Sequence, residues 1–513
     1  MSDSKTAAWQ RIEGSPRESL TALFGGDENR VERLSGRIGW GAGEDAAGIR
    51  FDWSKTHLTD DLLGTFEELA QASDFEARRA ALFAGEAINV TEGRAAEHTA
   101  QRGSGSEASV EEAQALLARM QMLVEAIREG ALGDVNHLIH IGIGGSALGP
   151  ALAIDALTRD LSYVDCHVVS NIDGVALEQA FATCDPATTL VAVASKTFTT
   201  IETLTNADSA MRWLSENGVS DPHGRVIALT ANPEGAVEWG VDETRVLPFM
   251  ESVGGRYSLW SSIGFPVALA AGWDEFAAML EGAAAVDAHF RDTDGRDNLC
   301  LRAAFADQYY ARVRGCQTRA VFAYDERLSL FPDYLQQLEM ESNGKRVTSA
   351  GEPVDGPTAP ITWGGVGTDA QHAVFQLLHQ GTHLVPVDFI ASIAPGDALD
   401  PAHHRILLTN CFAQGAALMA GGNMSADGKD PARQFPGDRP SATMLCDDLD
   451  AATLGALIAF HEHRTFANAV LMGINPFDQF GVELGKKMAK DIDGGDAEFD
   501  ASTTALLAAS GLG

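Results

Sequence analysis

The sequence predicts an α/β protein, with two successive three-layer α/β/α units that each enclose a mostly parallel sheet. Three observations predict this class. Short apolar runs alternate with amphipathic helices, the alternation occurs twice along the chain, and glycine-rich or polar loops follow the apolar runs. Strands of a parallel sheet are covered by helices on both faces, and so they are apolar throughout. Ligands of such sheets bind at the carboxyl ends of the strands, where we therefore expect the functional residues.

The first unit follows from apolar runs and helical periodicity in the middle of the chain. Buried strands are expected at 138–143, 166–170, 190–194 and 226–229. Apolar residues at helical spacing predict helices at 110–128, 147–157 and 201–214.

The second unit begins near residue 319 and repeats the pattern. Its strands are expected at 319–324 and 384–389, and its helices at 335–342, 371–380, 404–419 and 451–469. The N-terminal part is polar and predicted to be mostly helical, as at 60–72, and it ends in a Gly/Ser stretch at 103–106. We therefore predict an N-terminal helical segment packing on the large domain (1–105), a small domain (106–279), a large domain (280–485) and a C-terminal helix and tail (486–513).

Composition excludes several classes of function. The chain of 513 residues has 72 acidic and 37 basic residues, and its net charge is −35. A polyanionic surface repels nucleic-acid phosphates and anionic headgroups, so neither nucleic acid nor a membrane is an expected partner. The polar start of the chain does not resemble a signal peptide, and no apolar run approaches the ~20 residues of a spanning helix. We expect a soluble, cytoplasmic protein.

The six cysteines are widely spaced and form no C-x-x-C pair. This spacing argues against a zinc ribbon, a redox pair and a disulfide scaffold. No cluster of histidines, cysteines or carboxylates has the sequence spacing of metal ligands either. The prediction is therefore an enzyme or binding protein that needs no metal.

A glycine-rich loop follows the first predicted strand and precedes a helix; residues 140–150 read HIGIGGSALGP. Glycines let the backbone approach an anion, and free N–H groups at a helix start favour negative charge. Gly142-x-Gly144-x-x-Ala147 also fits the loose dinucleotide fingerprint. It leaves open a nicotinamide-dependent oxidoreductase, for which Asp173 is the nearest ribose-binding acid. The Walker pattern for nucleoside triphosphates is absent.

A hydroxyl-rich loop follows the third predicted strand and also precedes a helix; residues 194–200 read ASKTFTT. Its four hydroxyls and one ammonium suit the terminal oxygens of a phosphate monoester. An ordinary helix cap by Thr199 or Thr200 is the alternative. Two such loops on neighbouring strands favour a small phosphorylated metabolite over a dinucleotide.

Two glutamates near the end of a predicted helix are candidates for proton transfer. Glu339 and Glu341 point to different sides of the helix, so only one of them can enter a given cleft. A carboxylate at a partly buried helix end can serve as a general base. A solvated surface charge is the alternative for either glutamate.

Three further side chains could assist such a base. Arg256 follows a glycine pair, His372 lies in the first turn of a predicted helix, and Lys486 passes from a turn into a helix. The alternatives are a salt bridge or a stack on Trp260 for the arginine, a capping or surface histidine, and a surface lysine.

These segments resemble, in the same order along the chain, those of the glucose-6-phosphate isomerase (phosphoglucose isomerase) family. The resemblance rests on residues 85–92, 142–150, 195–200, 254–266, 340–345, 376–382 and 475–486. It implies two sugar-isomerase (SIS-type) α/β domains, and a homodimer that needs neither a metal nor an organic cofactor. The implied activity is the reversible aldose–ketose isomerisation of glucose 6-phosphate and fructose 6-phosphate through a cis-enediol(ate), with assisted ring opening.

The resemblance also implies a role for individual residues. Positions that bind the sugar phosphate are matched by Gly145, Ser146, Ser195, Lys196, Thr197, Thr200, Gln337 and Gln479. Glu341 matches the base that moves the proton between C2 and C1, and Arg256 matches the cation that steadies the enediolate. His372 and Lys486 match the groups that open the sugar ring, and Glu202 matches the carboxylate that partners His372. In the family this histidine enters the site of the neighbouring subunit.

Some residues depart from the family pattern, but none of these departures removes a matched catalytic residue, so they concern the properties of the site residues and not their presence. Asp369-Ala370 stands where the family usually has Asn-Gly, which adds a negative charge beside His372, and His383 stands where lysine is common. Besides the oxidoreductase, a sugar-phosphate sensor without catalysis stays open, although the chain has all the matched catalytic groups. Activity on mannose 6-phosphate also stays open.

Overall fold

The computed structural model describes residues 3–41, 46–494 and 498–512. Its strands, in chain order, are β1 (Ser35–Trp40), β2 (Ala47–Asp52), β3 (His137–Ile141), β4 (Asp165–Val169), β5 (Thr189–Ala194), β6 (Val226–Thr230), β7 (Val246–Pro248), β8 (Thr318–Tyr324), β9 (Ile361–Val366), β10 (Val387–Ser392), β11 (Gly422–Asn423), β12 (Gln434–Phe435) and β13 (Ser441–Cys446).

The α-helices of the N-terminal half are α1 (Asp3–Glu13), α2 (Leu20–Gly25), α3 (Arg30–Arg33), α4 (Asp60–Ala72), α5 (Phe75–Phe83), α6 (Glu107–Arg128), α7 (Leu148–Leu157), α8 (Gly174–Thr183), α9 (Ile201–Glu216) and α10 (Pro233–Trp239). Those that follow are α11 (Phe265–Ala270), α12 (Trp273–Asp292), α13 (Leu299–Gln308), α14 (Phe331–Leu335), α15 (Asp369–Ala373), α16 (Phe375–Gln380), α17 (Ala402–Ala420), α18 (Ala451–Met472), α19 (Glu483–Gly494) and α20 (Ala501–Ser510). A π-helical stretch, Gln336–Glu341, continues α14.

The first sheet, here called the parallel sheet, has the strand order β4-β3-β5-β6-β7, and every neighbouring pair is parallel. Helices α8, α9 and α10 pack on one face, whereas α6, α7 and α11 contact its strands from the other side. Every residue of β5 and β6 is therefore buried. The predicted three-layer unit is confirmed, and its predicted strands lie within two residues of the observed ones. Only the short β7 was missed.

The second sheet, here called the mixed sheet, has the order β1-β2-β13-β10-β8-β9. Strands β9, β8, β10 and β13 are parallel, and the antiparallel pair β1–β2 extends this sheet from the side of β13. The sequence predicted an N-terminal segment that is mostly helical, and this hairpin was missed. Its strands read SGRIGW and AGIRFD, and the glycines interrupt the alternation that marks a strand.

Two long helices, α12 and α18, pack against each other at the level of their backbones. A Cβ on Gly282 would lie 1.8 Å from the carbonyl oxygen of Ala452, and a Cβ on Gly455 would lie 2.0 Å from that of Met279. Only glycine fits at both positions. Helix α18 is buried along nearly its whole length, and its charged residues therefore need partners inside the protein.

Residues from Phe477 onwards form a separate compact unit. It contains a 3₁₀ turn at Phe480–Val482 and the helices α19 and α20, in agreement with the predicted C-terminal helical segment. Within the described ranges, no helix is both long and apolar enough to cross a membrane.

Candidate active site

The glycine-rich loop and the hydroxyl-rich loop leave the same edge of the parallel sheet. Strands β3 and β5 pair in parallel, with His137 opposite Thr189 and Ile141 opposite Val193. Their carboxyl ends therefore lie side by side, as the sequence predicted. A 3₁₀ turn, Gly144–Ser146, follows β3, and the hydroxyl-rich loop runs from β5 into α9.

Gly145 brings a third segment to this edge. A Cβ at Gly145 would lie 2.1 Å from the carbonyl carbon of Gly255 and 2.4 Å from the backbone nitrogen of Arg256. The two backbones touch, and any side chain at position 145 would separate them. The glycine-rich loop therefore lies directly against the segment that carries the predicted arginine.

The hydroxyls of the second loop pair with one another. Ser195 Oγ lies 3.1 Å from Thr200 Oγ1, and Thr197 Oγ1 lies 2.7 Å from Thr199 Oγ1. Thr200 occupies the N-cap position of α9, but its hydroxyl makes no capping bond within the described chain. Thr200 is therefore not the helix cap that the sequence left open, and its hydroxyl lies beside the buried Ser195 at a helix N-terminus.

Lys196 is held by backbone oxygens. Its Nζ donates to the carbonyl of Glu251 at 2.6 Å and to that of Val253 at 3.2 Å. Burial, followed by the charge of Arg94, lowers the pKa of Lys196 to about 8. The ammonium is thus tethered at the loop by two neutral acceptors, and the charges of Glu251 and Glu92 only partly offset the lowering of its pKa.

Arg256 and Glu341 form an ion pair beside the glycine-rich loop. Arg256 Nη1 lies 3.5 Å from Glu341 Oε2, and Gln337 Nε2 donates to the same carboxylate oxygen at 2.9 Å. The arginine side chain is only 3% exposed, whereas that of Glu341 is 23% exposed. The guanidinium is therefore enclosed, and its carboxylate partner keeps access to a ligand.

The guanidinium is fixed by contacts away from the carboxylate. Its Nε donates to Ser342 Oγ at 2.7 Å, and its Nη2 donates to the carbonyl of Pro476. Tyr257 Oη lies 3.0 Å from the same Ser342 hydroxyl. Arg256 packs over the Tyr257 ring at 5.6 Å, so the stack on Trp260 that the sequence left open is not the contact that forms. Sequence reasoning missed Ser342, whose only signal was its place directly after Glu341.

The chain is matched by a family model described as phosphoglucose isomerase, over residues 52–507. The chain belongs to this family. A glucose-6-phosphate isomerase of Erythrobacter litoralis is 78% identical to it, over 100% of both chains. One of Zymomonas mobilis is 61% identical over 98% of this chain and 97% of its own length. A solved glucose-6-phosphate isomerase of Chlamydia trachomatis is 30% identical, with a TM-score of 0.88, and covers 100% of this chain and 99% of its own.

The structure also describes the remaining residues that match functional positions of the phosphoglucose isomerase family. Glu202 lies half-buried in the first turn of α9, and His372 lies exposed on α15. In the described parts of the chain, no hydrogen bond or ion pair joins His372 to Glu202 or to Glu341. Gln479 and Lys486 belong to the C-terminal unit, where Gln479 precedes the 3₁₀ turn and Lys486 lies exposed on α19.

The acid required by the dinucleotide alternative has another role in this phosphoglucose isomerase fold. Asp173 caps α8, and its carboxylate accepts the backbone N–H of Val175 at 3.1 Å. The glycine-rich loop is moreover packed against Gly255 and Arg256. The geometry therefore favours the sugar-phosphate interpretation over the oxidoreductase.

Proposed function

We propose that this chain interconverts glucose 6-phosphate and fructose 6-phosphate by moving one proton between C2 and C1 through a cis-enediol(ate). The observation that carries the proposal is the placement of the accessible Glu341 carboxylate against the enclosed Arg256. Gly145 packs the glycine-rich loop against the backbone of Arg256, and the hydroxyl-rich loop leaves the same edge of the sheet. A base, a cation and an anion-binding loop are the parts that this reaction needs.

The phosphate group binds, in this proposal, at the two loops. Ser146, Ser195, Thr197 and Thr200 supply hydroxyls, and the start of α9 supplies backbone N–H groups and the positive end of the helix dipole. Lys196 adds a cation close by. These local donors are needed because the net charge of −35 repels an anionic substrate from the molecule as a whole.

Glu341 then acts as the general base. Its carboxylate accepts the proton from C2 of the open-chain aldose and returns it to C1, while Gln337 holds one carboxylate oxygen by its amide N–H. Negative charge develops on the substrate oxygens in the enediolate, where the fixed guanidinium of Arg256 stabilises it. Such preorganised charge costs no reorganisation during the reaction.

Ring opening falls to His372 and Lys486, with Glu202 as the partner of the histidine. His372 is exposed and lies on a different element from Glu341. This exposure supports a homodimer in which His372 of one chain enters the site of the other. We propose a cytoplasmic homodimer whose reaction needs neither a metal nor an organic cofactor, without nucleic-acid or membrane partners.

A coupled assay tests the proposed reaction. Fructose 6-phosphate is supplied with the chain and excess chelator, and glucose 6-phosphate is detected with a dehydrogenase. We expect turnover that does not change with chelator. Binding of fructose 6-phosphate without turnover would instead identify a sensor, and activity that is lost in chelator and restored by a divalent ion would overturn the proton-transfer mechanism.

Mixing two inactive variants tests the shared site. Homodimers of Glu341→Gln and of His372→Ala should both be nearly inactive. After the two are refolded together in equal amounts, about half of the dimers are mixed by random pairing, and each mixed dimer has one intact site. Activity should therefore return to roughly a quarter of wild type. Continued inactivity, with mixed dimers demonstrated by two affinity tags, would show that both residues act within one chain.

A further inference from the structure

We propose that the amino end of the parallel sheet binds a transition-metal ion of the zinc class, through His137, His167 and Cys184. The candidate ligand atoms of these three residues all lie within 4.8 Å of one another. Sequence spacing does not indicate this cluster, because the three residues are far apart along the chain.

The fold places the three side chains on one face of the sheet. His137 begins β3, and His167 on β4 pairs with Ile139, two residues further along β3. Residues two apart on a strand share a face, so both histidines lie on the face of Ile139. Cys184 directly follows α8, and it packs in the same apolar cluster as Ile139. The cysteine therefore covers the two histidines from the helix layer.

The spacing is close to that of a metal centre. In a tetrahedral zinc site, bond lengths of about 2.0–2.3 Å put neighbouring ligand atoms roughly 3.3–3.8 Å apart. Small side-chain rotations would bring the three atoms to this distance. Asp165 is the candidate for a fourth ligand, because its Oδ2 lies 3.4 Å from His167 Nε2 and 3.9 Å from His137 Nδ1.

The polar atoms of the cluster also point to a missing partner. His137 Nδ1 is buried and has no hydrogen-bond partner in the described part of the chain. His167 Nε2 lies 3.2 Å from the hydroxyl of Thr183, but that hydroxyl also reaches the carbonyl oxygen of Ala180 at 3.1 Å. The hydroxyl can therefore donate to the backbone, which leaves the imidazole lone pair for an ion.

The donor set selects the class of metal. A thiolate together with two imidazoles suits zinc, copper and nickel, whereas magnesium and calcium prefer oxygen ligands. One carboxylate is compatible with zinc as a fourth ligand. The ion would tie the end of α8 to β3 and β4.

This site is separate from the reaction. His137 begins β3, the glycine-rich loop follows the end of that strand, and five residues at about 3.3 Å each put roughly 16 Å between them. The ion would therefore stabilise the small domain without touching the substrate. Turnover should persist in chelator, and the proposal stands or falls independently of the proposed isomerase activity.

Cobalt and zinc titrations of the full chain test the proposal. The protein is treated with chelator, dialysed and titrated with Co²⁺, which gives a thiolate charge-transfer band in the near ultraviolet when cysteine is a ligand. Calorimetric titration with Zn²⁺ should give one ion per chain and a higher midpoint of thermal unfolding. We expect the band, the binding and the stabilisation to be lost in Cys184→Ser and in His167→Gln.

Cys166→Ser is the matched control, because it removes the neighbouring thiol on β4, which points to the opposite face. It should retain the cobalt band and zinc binding. Isomerase activity and far-ultraviolet circular dichroism verify the folding of every variant, and the half-buried His167 gives a second test if Cys184→Ser does not fold. Absence of stoichiometric binding to wild type, or a band that persists in a folded Cys184→Ser or His167→Gln variant, would overturn the proposal. So would loss of the band in folded Cys166→Ser.

Discussion

Glu339 and Glu341 lie two residues apart on one π-helical stretch, and they have opposite surroundings. Glu339 is 5% exposed and belongs to a buried charge cluster with Arg319, Arg464, Asp307 and Asp388. Glu341 is partly exposed, forms an ion pair with Arg256 and accepts a hydrogen bond from Gln337. The comparison shows that two carboxylates on one stretch can differ in exposure, and that of the two only Glu341 keeps partial access to solvent.

The charged side chains of the buried cluster pair with one another. Arg464, from α18, binds Asp307 at 2.6 Å and Asp388 at 2.7 Å, and Arg319 binds Asp307 at 2.9 Å as well as Glu339. The hydroxyl of Thr362 donates to the second oxygen of Glu339. This network joins α13, α18 and three strands of the mixed sheet to the stretch that carries both glutamates.

The buried surroundings of Glu339 also determine its ionisation. Burial alone would raise the pKa of Glu339, but the adjacent Arg319 and His461 hold it well below its ordinary value. A depressed carboxylate pKa contributes stability that is complete above the unfolded value of about 4.3 and is lost only as the pH falls below it. Glu339 therefore stays ionised throughout the neutral range and cannot exchange protons with a substrate.

Glu341→Gln should have the largest effect on the reaction. The amide keeps the shape and the hydrogen bond to Gln337 but cannot accept a proton, so kcat should fall by at least ~100-fold. The free energy of unfolding should fall by at most about 1 kcal/mol, because Glu341 is partly exposed and its ion pair with Arg256 is long, at 3.5 Å. Steady-state kinetics and urea unfolding measure the two effects. A stable variant with near-normal kcat would remove Glu341 from the role of base.

Glu339→Gln should show the reverse pattern. Removing one charge leaves Arg319 and Arg464 with two carboxylates, and the free energy of unfolding should fall by about 2–3 kcal/mol. The loss of kcat should be much smaller than in Glu341→Gln. The same kinetic and urea measurements apply. If Glu339→Gln lost kcat at unchanged stability, the roles of the two glutamates would be exchanged.

Lys196 is intermediate between the buried Glu339 and the partly exposed Glu341. Its charge is partly buried, and within the described residues no carboxylate lies at bonding distance from it. Its pKa is lowered from 10.5 to about 8. Between these two pKa values Lys196 holds a proton in the unfolded chain that it has lost in the folded chain. The free energy of unfolding therefore increases as the pH rises through this range. Lys196→Met should abolish this gain, so that wild type gains stability relative to the variant between pH 8 and 10. Parallel pH profiles from urea unfolding would contradict it.

The parallel sheet, three of the helices around it (α6, α7 and α9) and the loops at its edge were predictable because apolar runs and glycine spacing are local signals. The residues alone left Glu339 and Glu341 as alternatives, and the family resemblance named Glu341. The different surroundings of the two glutamates could not be predicted, since they depend on Arg319 and Arg256 from distant segments. The hairpin β1–β2 was hidden by its glycines. The cluster of His137, His167 and Cys184 exists only through strand pairing, which sequence spacing does not record.

The glycine contacts between α12 and α18 have a consequence for the distance across the cleft. Helix α12 follows the segment of Arg256, and Arg464 on α18 holds the network to which Glu339, and with it the stretch of Glu341, is attached. No side chain separates the two helices where they cross, so their backbones are in direct contact and cannot move closer together. The distance between the Arg256 guanidinium and the Glu341 carboxylate thus depends on this remote contact between two helices. A single methyl group added at Gly282 or Gly455 would displace both side chains at once.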